Sequence, residues 1–231
     1  MKLHNFIITL IGNRDNTLTY SNPEKIKWRN EIIESWSGKK FQIDYNRTMK
    51  LFHIANYRND GFKTIEEEIE FWRRYYYQLL KSEGITEKLE IRANILFDEL
   101  WCNNDRLLFN EVIEVLDYFK NNGYKMGVIS DTSPSLQLTL EQLGLGKYFD
   151  CYICSDIVGV QKPNPIIYNA ALKALRVKAE ESIYVDDYYI EADGARNLGF
   201  TSFHINRNSK RKGKWEIASL KELIEYVEIN N

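Results

Sequence analysis

The sequence has few cysteines and no hydrophobic run long enough to cross a membrane. Three cysteines occur in 231 residues, an odd number that does not suit a disulfide framework. No apolar stretch approaches the roughly 20 residues that span a bilayer. The N-terminal residues lack the basic, apolar and small-residue order of a secretion signal. We therefore expect a cytoplasmic protein without a membrane partner.

An excess of charge of either sign is also absent. Lys and Arg number 31 against 33 Asp and Glu, which gives a formal net charge of -2 at pH 7. A chain with this balance offers no electrostatic attraction to nucleic acid as its main partner. The locally basic run over residues 206–214 is interpreted as a solvated loop.

Residue types that bind zinc are few and scattered. The three histidines stand at positions 4, 53 and 204. Cys151 and Cys154 form a CxxC pair, but their segment is interpreted as a strand, in which residues three apart point to opposite faces. We therefore expect buried structural thiols rather than two ligands of one metal ion.

Two regions of the chain differ in pattern. Residues 22–103 contain helical segments rich in aromatic and charged side chains. From about residue 105, short apolar strands alternate with single helices, which implies a parallel sheet with helices on both faces. The apolar run over residues 6–11 has the same buried-strand character. We predict an α/β core made of residues 1–21 and 104–231, with residues 22–103 inserted as an all-helical cap domain.

An apolar stripe at helical spacing lies in the predicted cap and consists of Trp72, Tyr75, Tyr76 and Leu79. It is interpreted as core or inter-domain packing, with a surface that faces the substrate as the alternative. The cap segments match no binding motif, so the sequence leaves the substrate unidentified.

Polar side chains follow the predicted parallel strands, at the edge where open α/β sheets bind ligands. Asp186 and Asp187 come directly after the apolar segment SIYV. Burial of two adjacent carboxylates is costly without a cation, and oxygen ligands suit magnesium. The alternative is a surface turn with two solvated acids.

A lysine and a hydroxyl accompany these acids. Lys162 lies in a loop restrained by Pro163 and Pro165, and an ammonium fixed beside carboxylates is able to hold a phosphate. Ser130 ends another strand and is able to donate a hydrogen bond to a phosphoryl oxygen. A solvated loop lysine and a helix-capping serine are the alternatives.

In their order, these features resemble the haloacid dehalogenase superfamily, in the subfamily whose helical cap is inserted between the first and second motifs. The second motif appears as GVISDT with Ser130, and the third, a lysine in a KPxP loop, as QKPNP with Lys162. The fourth, an acidic pair, appears as YVDD with Asp186 and Asp187, and Glu191 falls where a longer form places its second acid. The resemblance covers essentially the whole chain and implies a Rossmann-like core.

The first motif of the family, DxDGT followed by a hydrophobic residue, corresponds without gaps to NRDNTL at residues 13–18. Asp15 matches the second Asp, and Thr17 matches the Thr. Asn16 replaces the Gly, and Asn13 occupies the position of the nucleophilic Asp.

The resemblance implies a mechanism. In the family, the first Asp attacks phosphorus to form an aspartyl-phosphate, and the second Asp protonates the leaving oxygen and later activates water. Magnesium spreads the developing charge. The implied catalytic positions are Asn13, Asp15 and Lys162; the phosphate-binding set is Thr17, Ser130, Asp131 and Lys162; and the Mg²⁺ set is Asn13, Asp15, Asp186 and Asp187. Dehalogenation in the family uses the same nucleophile on carbon.

Asn13 leaves three accounts open, because an amide is neither charged nor nucleophilic. It is a changed residue in an otherwise active phosphatase, a natural residue in a protein without turnover, or part of a shifted loop in which Asp15 attacks. The gapless match of Thr17 opposes a shift.

The expected function is accordingly a magnesium-dependent phosphatase that acts on a small phosphorylated metabolite. The alternative is a catalytically silent relative that binds a phosphorylated ligand or a protein partner, and a scaffold role is a third option. The oligomeric state stays open.

Overall fold

The structure is a computed structural model, and it describes residues 10–209 and 213–230. The strands are β1 (Leu10–Gly12), β2 (Thr19–Ser21), β3 (Arg106–Leu108), β4 (Met126–Ser130), β5 (Cys151–Cys154), β6 (Ile183–Asp186), β7 (Thr201–Ile205) and β8 (Glu216–Ile217). Six of them form a parallel sheet in the order β5-β4-β1-β6-β7-β8. Of the predicted first strand, residues 6–9 lie outside the described residues.

Helices connect these strands and cover the sheet. They are α1 (Pro23–Ser37), α2 (Tyr45–Ile54), α3 (Ile65–Ser82), α4 (Leu89–Leu100), α5 (Val112–Asn121), α6 (Leu136–Gln142), α7 (Ser155–Val158), α8 (Pro165–Leu175), α9 (Tyr189–Asn197) and α10 (Lys221–Asn230). Side chains of α5, α6 and α10 share one buried cluster with the sheet, and side chains of α8 and α9 share another. The predicted α/β class, with helices on both faces of a parallel sheet, is confirmed.

Cys151 and Cys154 lie on opposite faces of the sheet, because side chains alternate between the two faces along a strand. Cys154 belongs to the cluster on the α5 side of the sheet, and Cys151 belongs to the cluster on the α8 side. Both thiols are free and buried, so the predicted burial of the pair is confirmed. Successive strand residues face opposite sides, which is why residues three apart cannot share a ligand.

Helices α1–α4 pack around an aromatic core of their own. Phe71 and Leu80 of α3 are fully buried in it, together with Ile33 of α1 and Leu96 of α4. The short antiparallel pair of β2 and β3 stands where the chain leaves and re-enters the core. Neither strand was predicted, since each has only three residues. The exact boundaries of the cap domain at residues 22 and 103 stay a prediction.

A buried carboxylate ties this helical unit to the core. Glu68 of α3 is 2% exposed. It accepts hydrogen bonds from the backbone N–H and the hydroxyl of Ser135, at 2.8 and 2.7 Å, and from the indole N–H of Trp101 at 3.1 Å. Ser135 is also the N-cap residue of α6.

Within residues 10–209 and 213–230, no helix is long and apolar enough to cross a membrane.

Candidate active site

Three neighbouring strands bring the predicted site residues to one edge of the sheet. β1 lies between β4 and β6, and all three run in the same direction. Asn13 follows the last residue of β1, while Ser130 ends β4 and Asp186 ends β6. Because carboxyl ends of parallel strands meet at one edge, side chains distant in the sequence become neighbours there.

The side chain of Asn13 joins the ends of two strands. Its Oδ1 accepts a hydrogen bond of 2.8 Å from the Ser130 hydroxyl, and its Nδ2 donates one of 3.2 Å to Asp187. Asn16 donates a second amide hydrogen bond to Asp187, at 3.0 Å. Asn13, and not Asp15, therefore lies against Ser130 and Asp187, which is the arrangement that the gapless register of the first motif predicts.

Lys162 forms a buried charge network with two acids. Its side chain is 0% exposed. The Nζ lies 2.7 Å from Asp186 and 2.5 Å from Glu191. Burial alone would lower the pKa of Lys162, but these two carboxylates outweigh it and the pKa is raised. Burial, together with the charge of Asp186, raises the pKa of Glu191 to about 7 against the opposing effect of Lys162.

The carboxylate of Asp186 has all of its hydrogen-bond partners within the protein. Besides Lys162, its carboxylate accepts a 2.5 Å hydrogen bond from the Tyr184 hydroxyl and a 3.0 Å bond from the backbone N–H of Tyr188. A carboxylate buried at 0% exposure needs this number of partners. In this arrangement Asp186 positions Lys162 at the end of β6.

The loop that carries Lys162 is fixed from both sides. Its backbone N–H donates a 3.1 Å hydrogen bond to Asp131, and the Lys162–Pro163 peptide bond is cis. Helix α9 approaches closely at Gly194, where an added Cβ would lie 2.5 Å from the Cβ of Pro163. Only a glycine allows this approach, so Gly194 contributes to the position of the lysine.

Asp15 forms ion pairs with two arginines. Arg14 lies 3.1 Å from its carboxylate and Arg106 lies 3.2 Å from it. Burial opposes ionisation, but the charges of Arg14 and Arg106 dominate, and the pKa of Asp15 is lowered. Thr17 is fully buried, and its hydroxyl has no hydrogen-bond partner among the described residues.

The sequence analysis did not predict a role in this site for two residues, Asn16 and Arg106. Asn16 has a left-handed backbone with φ of 58°, and its side chain binds Asp187. The Gly at this position of the family motif was the available signal, because Asn is among the few residues that tolerate this conformation. Arg106 arrives from β3, some ninety residues away, and no local pattern links it to Asp15.

The oxygen atoms at this edge fit a magnesium ion in chemical type. The Asp187 carboxylate and the Asn13 amide oxygen are hard donors of the kind that Mg²⁺ prefers. In the part of the chain that the structure describes, no lysine or arginine pairs with Asp187. Burial and the charge of Asp186 raise the pKa of Asp187, and they outweigh the hydrogen bonds from Asn16 and Asn13, which lower it. Asp187 is the acid here that a cation would stabilise. The described residues contain no group of three or more His, Cys, Asp or Glu side chains that could hold a metal.

The fold is that of a capped α/β protein with polar residues at the carboxyl edge of a parallel sheet. The chain belongs to the haloacid dehalogenase-like hydrolase family, whose model matches residues 14–199. The predicted resemblance is therefore confirmed. The match begins one residue after Asn13, so the membership does not depend on that position.

Individual relatives include both phosphatases and dehalogenases. The chain is 27% identical over 168 residues to haloacid dehalogenase-like hydrolase domain-containing protein 3 of Xenopus laevis, covering 71% of this chain and 69% of that protein. It is 34% identical over 122 residues to glyceraldehyde 3-phosphate phosphatase of Pyrococcus furiosus, covering 48% of this chain but only 51% of that enzyme. A 2-haloacid dehalogenase structure from Pseudomonas syringae pv. Tomato has a TM-score of 0.69 at 20% identity, over 97% of this chain and 100% of the other, and shows the common fold.

Proposed function

We propose that the chain binds the phosphoryl group of a small phosphorylated metabolite at the carboxyl edge of β1, β4 and β6, and does not hydrolyse it by a covalent route. The proposal rests on the position of Asn13, whose amide lies between Ser130 and Asp187 where the family has its nucleophile. The hydroxyl of Ser130 and the N–H groups of this edge are suitable donors to phosphoryl oxygens.

Asn13 closes the covalent route. The nitrogen lone pair of an amide is delocalised, and its oxygen carries no charge, so neither atom displaces an alkoxide from phosphorus. Asp15 pairs with two arginines that lower its pKa, but the missing nucleophile at position 13 is the feature that opposes turnover.

A magnesium-dependent phosphatase is the second candidate. The presence of Asp15, Ser130 and Lys162 at the family's positions favours it, and a phosphatase is among the relatives. In this candidate Asp187 and the amide oxygen of Asn13 would hold Mg²⁺, whereas Asp186 and Asp15, the other acids of the predicted set, already pair with Lys162 and with Arg14. When bound, the ion would supply positive charge at the phosphoryl oxygens. This candidate needs a carboxylate at position 13.

Hydrolysis of an aryl phosphate separates the two candidates. The chain as written and the Asn13→Asp and Asn16→Asp variants are assayed with p-nitrophenyl phosphate and Mg²⁺, and calorimetry measures the binding of inorganic phosphate to each. Asn16→Asp is the matched control, because it adds the same charge beside the same Asp187. We expect phosphate binding without turnover in the chain as written, and turnover only in Asn13→Asp.

Two results would overturn this proposal. Turnover by the chain as written that disappears in Asp15→Ala would establish the phosphatase, and would mean that either the register of the first motif or the interpretation of Asn13 is wrong. Absence of phosphate binding in a folded chain would remove the binding function itself.

Cellular location and partners stay predictions. Cys102, Cys151 and Cys154 are free thiols, as a reducing cytoplasm would keep them. We propose a small phosphorylated metabolite, rather than nucleic acid or a membrane, as the partner.

A further inference from the structure

A cavity of about 370 Å³ lies between the helical cap and the core. It begins beside the candidate site, at Arg14 and Thr132, which stand next to Asn13 and Asp131 in the chain. Helices α1, α2 and α3 form its far wall with, among others, Arg29, Phe52 and Trp72. The volume falls within the range of small-molecule sites, which is roughly 300–1,000 Å³.

Most of the charged side chains around this cavity already have partners within the protein. Arg14 and Arg106 both pair with Asp15, and Lys25 pairs with Glu99 at 3.0 Å. Of the two lining acids, Glu68 is held by Ser135 and Trp101. The other, Asp105, lies 3.5 Å from Arg106.

Arg29 is the exception among the lining cations that the structure describes. Its Nε and one terminal nitrogen donate to the neutral side-chain oxygen of Asn30, at 3.1 and 2.9 Å, and no carboxylate pairs with it. The guanidinium lies 5.7 Å from the ring centroid of Phe41, a contact that fixes its orientation. A partly buried guanidinium without an anion is an available binding group.

Aromatic side chains adjoin this arginine. Tyr75 and Tyr76 line the same cavity, and the charge of Arg29 acts on the pKa of both hydroxyls, although burial dominates and raises both pKa values. Phe52 and Trp72 pack edge-to-face at 5.8 Å in the same wall. The far end of the cavity therefore combines one positive charge with flat apolar surfaces.

We infer that the ligand carries a second anionic group, a carboxylate, on an apolar or aromatic body, and that Arg29 binds this group while the strand edge binds the phosphoryl group. The inference rests on the proposed phosphate-binding function. One guanidinium matches one carboxylate in a bidentate geometry. The aromatic wall matches the body that joins the two charged ends.

A pair of non-hydrolysable probes tests this inference on the full chain. Calorimetry compares phenylphosphonate with 4-carboxyphenylphosphonate, which differ only in the carboxylate. We expect the carboxylated probe to bind about tenfold more tightly, the usual scale of one charge-assisted contact. The Arg29→Gln variant is expected to abolish this difference, and Arg29→Lys to retain part of it.

Arg92→Gln is the matched control, because it also removes one cap arginine that contacts an aromatic ring, Trp36, but lies outside the cavity. It is expected to keep the tenfold preference. The inference would be overturned by equal affinities of the two probes in the unaltered chain, or by a preference that survives in folded Arg29→Gln. In either case, binding of phenylphosphonate would still support the proposed function. Failure of inorganic phosphate and both phosphonates to bind would overturn both.

Discussion

The amide nitrogen of Asn13 donates a hydrogen bond to the carboxylate of Asp187 across 3.2 Å. A carboxylate at position 13 has no proton to donate, so it would meet Asp187 as a second negative charge. Asn13 therefore stabilises an arrangement that otherwise needs a cation between the two side chains. The same residue decides whether the site has a nucleophile and how much it needs magnesium.

Magnesium dependence of stability is the first prediction. Asn13→Asp is expected to unfold at a lower temperature than the chain as written when EDTA is present, because of repulsion from Asp187. With Mg²⁺ at about a hundred times its Kd, the variant is expected to gain about 2.7 kcal/mol, and the unaltered chain distinctly less. Thermal unfolding across a Mg²⁺ series measures this, with Ca²⁺ as a second cation.

Asn16→Asp provides the comparison for that experiment. Asn16 donates to the same carboxylate but is exposed, so water screens an added charge there. We expect a smaller loss in EDTA and a smaller gain with Mg²⁺. Equal responses of the two variants would show that position 13 has no special relation to Asp187.

The pairing of Asp15 with Arg14 and Arg106 gives a pH-dependent prediction. Because the pKa of Asp15 is lowered, the stability it contributes is present above its unfolded pKa of about 3.9 and is lost as the pH falls through the lower folded pKa. Asp15→Asn is expected to lower the free energy of unfolding by about 1 kcal/mol at pH 7, a small value because solvent partly screens the carboxylate. The difference between variant and parent should shrink below about pH 4.

Chemical denaturation of the two proteins at pH 7 and pH 3 measures this difference. Asp60→Asn is the control, since Asp60 pairs with Arg58 at the surface, where an ion pair contributes little. A difference that is constant between these pH values would mean that the charge of Asp15 plays no part.

Reactivity of the cysteines is the third prediction. Burial raises the pKa of Cys151 to about 12 and also raises the pKa values of Cys102 and Cys154, so few thiolates form near pH 8. Cys151 and Cys154 are expected to stay unlabelled by a thiol reagent in the native protein. Cys102 lines the cap–core cavity and is expected to react slowly.

Mass spectrometry after timed labelling measures the three rates, and labelling in denaturant gives the full count of three. Fast native labelling of Cys151 would contradict its burial in the core.

The sequence predicted a residue correctly where the pattern that identifies it lies within a few positions of that residue. Ser130, Lys162 and Asp186 were singled out correctly as strand-end and loop residues, because the apolar strand before each one or the prolines around it are visible within a few positions. The pairing of Ser21 with Arg106 joins segments far apart in the chain and has no local signature. Arg106, which contacts Asp15 together with its sequence neighbour Arg14, was missed for the same reason, since only the β2–β3 pair brings Arg106 there.

The cap–core tie through Glu68 was equally invisible, because an acid within the run EEEIE looks like a solvated helix residue. Its burial depends on Ser135 and Trp101, which come from different parts of the fold. A helical period can say which residues share a face. It does not say that a carboxylate on that face meets the N-terminus of another helix.

Removal of this tie is the fourth prediction. Glu68→Ala leaves the N–H and hydroxyl of Ser135 and the indole N–H of Trp101 without their acceptor in a buried place. Hydrogen bonds to a charged group contribute about 1.5–3 kcal/mol each before coupling, so we expect a loss of about 3 kcal/mol in the free energy of unfolding. Glu68→Gln keeps one acceptor oxygen and is expected to lose about half as much.

Chemical denaturation measures both variants against Glu66→Ala, an exposed acid two residues earlier on the same helix. Because Glu68 joins the cap to the core, its loss should also open the cavity between them, and labelling of Cys102 should accelerate more than labelling of Cys154. Equal acceleration of the two thiols would mean that Glu68 stabilises the whole fold and has no particular effect on the cap. A selective effect on Cys102 would identify this carboxylate as the contact that holds the cap closed.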